Sequence, residues 1–97
     1  MAGDRVLIAG GGIGGLTLAL CLERVGIECE VFEAAPEFQP LGVGINLLPH
    51  SVRVLTLLGL REAIESIAIQ TAELSYYSKH GKRIWSEPRG VAAGYRW

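Results

Sequence analysis

The sequence predicts an α/β fold: a β-strand–helix–β-strand unit at the amino end, followed by two helices and a β-hairpin. Three observations predict it. An apolar run, Val6 to Ala9, leads into the glycine-rich turn Gly10-Gly11-Gly12-Ile13-Gly14-Gly15. Eighteen residues past Gly15, Glu33 closes a second apolar strand that ends Val31-Phe32. After residue 70 the hydrophobic period changes from helical to two, the period of a strand.

The glycines follow the spacing G-x-G-x-x-G, in which each has a steric task. Gly10 permits the tight turn, Gly12 lets backbone approach a pyrophosphate, and Gly15 lets the helix pack close on the strand. Gly14 adds further room, and Ile13 belongs to the same candidate set. A helix beginning here directs unpaired N–H groups and the positive end of its dipole at one point, so an anion is expected there. Spacing alone is weak, because glycine-rich turns are common. The flanking strands and Glu33 supply the context of a Rossmann-like βαβ unit with its acidic residue in place.

Ninety-seven residues suit one small folding unit or a piece of one. The chain is 49% apolar with a net charge of −1, so it has no basic footprint for nucleic acid. Phosphate binding must then be local, made by backbone and helix dipole. The start, Met1 to Arg5, leads directly into a strand without a signal-peptide pattern, and no window reaches the roughly 18 apolar residues of a membrane span. A cytoplasmic chain with no membrane partner is expected. Cys21 and Cys29 form no C-x-x-C pair and read as reduced, packed thiols. His50 and His80 lack suitably spaced Cys, Asp or Ser partners, so neither a catalytic cluster nor a metal set is predicted.

In order, Asp4 to Ala9 carries four consecutive apolar residues, which suits a central parallel strand covered on both faces. The helix from about Gly14 to Val25 has almost no polar face before Glu23, and such a helix is normally buried all round. These residues offer little to cover its second side. The chain therefore reads as an incomplete piece, with self-association through the uncovered apolar surface expected. Gly26 stops the helix, and Ile27 to Glu33 is the second parallel strand, its crossover right-handed. Ala34 to Pro40 is loop. Leu41 to Asn46 is a second glycine cluster, either an ordinary turn or a place where backbone approaches a ligand.

Pro49 and Gly59 bracket a helix with Val52, Leu55 and Leu58 on one stripe; Arg53 lies off it, either solvated or cofactor-facing. Arg61 to Ala68 reads as a short helix burying Ile64 and Ile67. Glu73 to Ser78 and Arg83 to Ser86 flank the turn Lys79-His80-Gly81-Lys82 as a hairpin. From Glu87 onward the chain reads as loop, and an aromatic end on an unfinished loop again suggests truncation.

The glycine turn, Glu33, and the segment Leu41-Gly42-Val43-Gly44-Ile45-Asn46-Leu47-Leu48-Pro49, followed by Leu55 and Leu58-Gly59-Leu60, stand in order. With them the chain resembles the N-terminal part of the FAD-dependent aromatic hydroxylases, the single-component class A flavoprotein monooxygenases. Trp85-Ser86-Glu87-Pro88-Arg89-Gly90 is most similar to the phenazine-modifying members.

The resemblance implies an incomplete piece of a larger flavoprotein fold, residues 1–97 being an FAD-binding segment and 70–97 the start of the substrate-domain sheet. It implies that Gly10, Gly12, Ile13, Gly14 and Gly15 surround the pyrophosphate and that Glu33 accepts from the adenosine ribose. Gly42, Val43, Gly44 and Ile45 would lie beside the isoalloxazine ring, and Arg53 would contact the cofactor. The implied reaction is hydroxylation of a small aromatic substrate with NAD(P)H and O2. Later family motifs, an arginine-bearing segment, D-G and G-D, are expected beyond this sequence, so an alternative is a truncated or degenerate nucleotide-binding module without activity. An NAD-dependent dehydrogenase fits less well, because Gly42 to Ile45 with its proline helix has no place in that pattern.

Overall fold

The computed structural model describes residues 3–40, 42 and 44–97 and separates into two compact units, residues 1–44 and 45–97. In the first, β1 (Val6–Ala9) and β2 (Cys29–Phe32) pair in parallel, Val6 opposite Cys29 and Ala9 opposite Phe32. Between them runs α1 (Ile13–Arg24). One further rung, Gly10 N–H to the Phe32 carbonyl at 2.7 Å, carries the pairing to the edge of the glycine turn.

The turn works because two backbones nearly touch. A Cβ on Gly15 would stand 1.9 Å from the Gly10 carbonyl oxygen and 3.3 Å from Ile8 Cγ2. This contact lets α1 cover Ile8, which is only 6% exposed. On the opposite face Leu7 is 65% exposed, so the expected covering of β1 on both faces does not occur among the described residues of this unit. The same holds for α1, in which no residue is buried and Leu16, Leu18 and Leu20 lie at or above 39% exposure. An apolar face needs a second layer to bury it, and the single layer α1 supplies goes to the Ile8 side. Cys21 and Cys29 are free and half-buried, the latter beside the Ala19 carbonyl at 3.8 Å.

Helix α1 ends in a Schellman motif. Gly26 (φ 77°) donates to Glu23 and Ile27 donates to Leu22, giving the last turn's carbonyls partners as the sequence predicts. In the second unit α2 (Pro49–Leu57) begins with Pro49 in its first turn. It ends the same way, Gly59 donating to Thr56 and Leu60 to Leu55. Leu55 is buried and Val52 and Leu58 half-buried, as their spacing requires.

Helix α3 is shorter than predicted, Arg61–Glu65, held on its surface by the Arg61–Glu65 ion pair at 2.8 Å. The Ser66 hydroxyl donates to the Ala63 carbonyl, a local bond that competes with continued helix. Ile64 is half-buried, but Ile67 is 87% exposed, against its predicted burial.

The hairpin pairs β3 (Glu73–Tyr77) with β4 (Arg83–Pro88). The tip is closed by Ser78, whose N–H donates to the Lys82 carbonyl at 2.8 Å and whose hydroxyl accepts from the His80 and Lys82 N–H groups. The pairing runs two residues past the predicted Ser86, because Glu87 and Pro88 stand opposite Leu74 and Glu73. Pro88 sits at the strand's end, where a missing donor costs least. A bulge lies between Tyr76, which faces Trp85, and Tyr77, which faces Arg83, leaving Ile84 as the extra residue. Tyr76 and Trp85 stack across it with ring centroids 5.8 Å apart. A 3-10 turn, η1 (Gly90–Ala93), follows where only loop was predicted, entered and left through glycines with φ 54° and 91°.

The contact at Gly15 predicts opposite outcomes for two neighbouring glycines. Gly15→Ala should destabilise the chain by at least about 1–3 kcal/mol through forced backbone displacement. Gly14→Ala, where a Cβ meets nothing within 4 Å, should be neutral or gain up to about 1 kcal/mol of helix propensity. Urea midpoints of the two variants check this, and equal effects would contradict the packing described.

Candidate functional site

Polar chemistry in the first unit converges where β1 and β2 end. Gly10, with φ 112°, takes the chain out of β1 through a conformation that side chains disfavour. Gly11 is buried, and its N–H donates to Glu33 Oε1 at 2.9 Å. Gly12 is the extended N-cap of α1 and brings no side-chain cap, so the first-turn N–H groups, including those of Ile13 and Gly14, stay available. Apart from the adjoining residues and the helix's own backbone, no atom lies within 4 Å of where a Cβ would stand on Gly12 or Gly14. The helix start is thus bare backbone facing open space, a shape that admits an anion. No acidic residue sits in the first turn to compete for it.

Glu33 follows β2 directly, and its second oxygen, Oε2, accepts from the Ala35 N–H at 2.8 Å. The backbone N–H groups of Ala35 and Gly11 hold this carboxyl below its usual value, with slight burial acting in the opposite direction and Ala34 adding to the lowering. Each carboxylate oxygen has two lone pairs, so with two bonds made the group keeps acceptor capacity toward a hydroxylated ligand. Ala9, Gly10, Phe32, Glu33 and Ala34 line an open groove here. Phe38, 73% exposed, brings Cε1 to within 3.3 Å of the Cβ position on Gly11, so Gly11 is walled by Glu33 and Phe38.

The structure therefore gathers Gly10, Gly12, Ile13, Gly14, Gly15 and Glu33 at one place. Gly42 (φ 70°) and Gly44 lie toward the end of the same unit, again with open space in the Cβ direction. Val43 lies outside the described residues. Ile45 and Arg53, both exposed, belong to the second unit, Arg53 on α2. Sequence reasoning missed Gly11, Ala35 and Phe38. The first two act through backbone N–H groups, which no residue type announces. Phe38 was legible only as an aromatic in a polar loop. Among the described residues no group of three His, Cys, Asp or Glu could hold a metal ion, and no helix is long and apolar enough to cross a membrane.

A family model described as an FAD binding domain matches residues 4–85. The chain belongs to this family of FAD-binding domains. It is 53% identical over 90 residues to the phenazine 1,6-dicarboxylic acid hydroxylase PhzS of Lysobacter antibioticus, covering 92% of this chain and 22% of that protein. Among solved structures, the tetrameric form of 2-methyl-3-hydroxypyridine-5-carboxylic acid oxygenase matches with a TM-score of 0.78 at 29% identity, covering 90% of this chain and 23% of that one. HpxO of Klebsiella pneumoniae, solved with FAD and uric acid, matches with a TM-score of 0.73 at 27% identity, covering 87% and 21%. The chain thus spans about a fifth of the length of each of these FAD-binding-domain relatives.

The lowered value for Glu33 has a defined pH signature. A carboxyl whose folded value lies below its ordinary 4.5 adds stability above that pH, and the contribution is lost as pH falls through the lower folded value. The urea midpoint of the chain should exceed that of Glu33→Gln near neutrality, and the two should converge in acid. Midpoints that stay parallel down the acid limb would refute it.

Proposed function

We propose that this chain is the FAD-binding portion of a flavin-dependent monooxygenase that hydroxylates a small aromatic substrate using NAD(P)H and O2 in the cytoplasm. The observation that carries the reading is the bare helix start at Gly12 to Gly14, set beside a Glu33 carboxylate with acceptor capacity to spare. In this reading the βαβ unit is Rossmann-like and the chain is a piece of a larger flavoprotein, with residues 70–97 beginning its substrate-domain sheet. A solved structure similar to this chain supports it: HpxO is solved with FAD and uric acid.

The residues present fit the dinucleotide. Gly10, Gly12, Ile13, Gly14 and Gly15 would hold the pyrophosphate, because their N–H groups and the dipole of α1 offer partial positive charge with no side chain in the way. Glu33 would accept from the adenosine ribose hydroxyls. Gly42, Val43, Gly44 and Ile45 would lie along the flavin ring through backbone, with Arg53 supplying a positive charge to the cofactor. When bound and reduced by nicotinamide, the flavin supplies the capture of O2 and the delivery of one oxygen atom to an aromatic ring. This chain's share is binding, orientation and exclusion of water. The apolar side of α1 left bare is a ready surface for self-association wherever nothing else covers it.

A second reading, a nucleotide-binding module without activity of its own, draws on one observation: the chain spans about a fifth of its relatives' length. Binding and turnover separate the two. Quenching of flavin fluorescence on titration should report FAD binding to the chain, and Gly12→Val, which fills the open Cβ direction, should weaken it at least about 100-fold, the scale of a lost phosphate subsite. Unchanged titration by that variant would remove the site assignment. NAD(P)H-dependent aromatic hydroxylation by the 97-residue chain would exclude the second reading, whereas binding without turnover is what both expect of the chain in isolation.

A further inference from the structure

Glu33 is bonded to the protein itself before any ligand is considered. Its oxygens take the Gly11 N–H at 2.9 Å and the Ala35 N–H at 2.8 Å. These donors lie on two separate segments, the glycine turn after β1 and the loop after β2. The Cβ direction of Gly11 points at Glu33 Cβ, 3.1 Å away, so turn and carboxylate stem are in packing contact as well.

We propose that Glu33 is a positioning residue for the glycine-rich turn: its carboxylate clamps the Gly11 and Ala35 N–H groups together and so holds the turn in its ligand-ready shape. The turn needs such a clamp. Five glycines within six residues lose more backbone freedom on ordering than any other composition. Gly12 has no side-chain cap to fix the helix start. Gly10 is pinned by its bond to Phe32 and Gly15 by its packing on Gly10, and Gly11, next in the chain after Gly10, is fixed by Glu33. The lowered carboxyl value agrees, since its causes are backbone donors, Ala35 first and Gly11 second. This inference deepens the FAD-binding reading and rests on it only for the identity of the anion.

The clamp makes a prediction opposite in sign to a ribose-reading role. A residue that only reads ribose has no part in binding inorganic pyrophosphate, and replacing its negative charge by a neutral group should leave that binding unchanged or tighten it. A clamp makes the same replacement weaken it. Glutamine keeps one acceptor oxygen and confronts the other N–H with its own amide, so at most one bond survives.

Two measurements on the 97-residue chain test it. In the absence of ligand, amide hydrogen exchange at Gly11 and Ala35 should quicken about tenfold in Glu33→Ala, the scale of one charge-assisted hydrogen bond. The Gly10 amide, bonded to Phe32, should keep its rate and so report an intact βαβ unit. If Glu33→Ala loses that protection everywhere, Glu33→Asp, which keeps the charge but shortens the reach, carries the same comparison. Titration with inorganic pyrophosphate should then show weaker binding by Glu33→Gln than by the unsubstituted chain. Exchange at Gly11 and Ala35 that ignores both variants, or pyrophosphate binding that tightens in Glu33→Gln, overturns the clamp. If the unsubstituted chain binds neither pyrophosphate nor ADP while Gly11 and Ala35 still depend on Glu33, the clamp stands and the FAD-binding reading falls.

Discussion

The carbonyl oxygen of Gly10 occupies the place where a side chain on residue 15 would begin, and the arrangement of the amino-terminal unit depends on that approach. With hydrogen in place of Cβ, the first turn of α1 settles directly on the end of β1. Ile8 is then buried beneath it, and the helix start is aimed out of the end of the two-stranded sheet. One missing methyl group thereby fixes both a packing interface and the direction of a dipole.

In the proposed site the attraction for a phosphate would come from peptide groups, because no side chain caps the start of α1. Peptide donors are useful only when they are held in place, and here they are held by other peptide donors acting through a carboxylate. An acid beside a proposed anion site is at first sight a conflict. It is relieved because the two N–H groups on Glu33 disperse its charge, and because its remaining lone pairs suit hydroxyls better than phosphates.

Much of this was legible from residue type. Gly26 and Gly59 stop their helices as expected because a left-handed residue after a helix has few alternatives to glycine. Pro49 marks a helix start for an equally local reason. The glycine turn and Glu33 were readable because steric exclusion and a carboxylate both show in the letters. The failures share a different cause. Burial of Leu7, of the outer side of α1 and of Ile67 depends on what packs against them, which periodicity does not encode. The strand through Pro88 and the turn at Gly90–Ala93 ran against proline and glycine used as loop signals, since an end position tolerates both. The bulge at Ile84 could not be read because register is a property of two strands together. The bonds of Gly11 and Ala35 to Glu33 are donated by backbone N–H groups, which no residue type announces.

The two sheets close over very different spans of chain. The hairpin joins Tyr77 to Arg83 across a short turn, whereas the parallel pair joins Val6 to Cys29 across a whole helix. Loop-closure entropy must be met before a distant pairing gives any return, so local contacts form quickly and remote ones late. The glycine turn has its shape only once β1 and β2 are aligned, because Gly10 and Gly11 bond to Phe32 and Glu33. By that measure the parallel pairing is the costlier of the two to close, and the shape of the glycine turn depends on it.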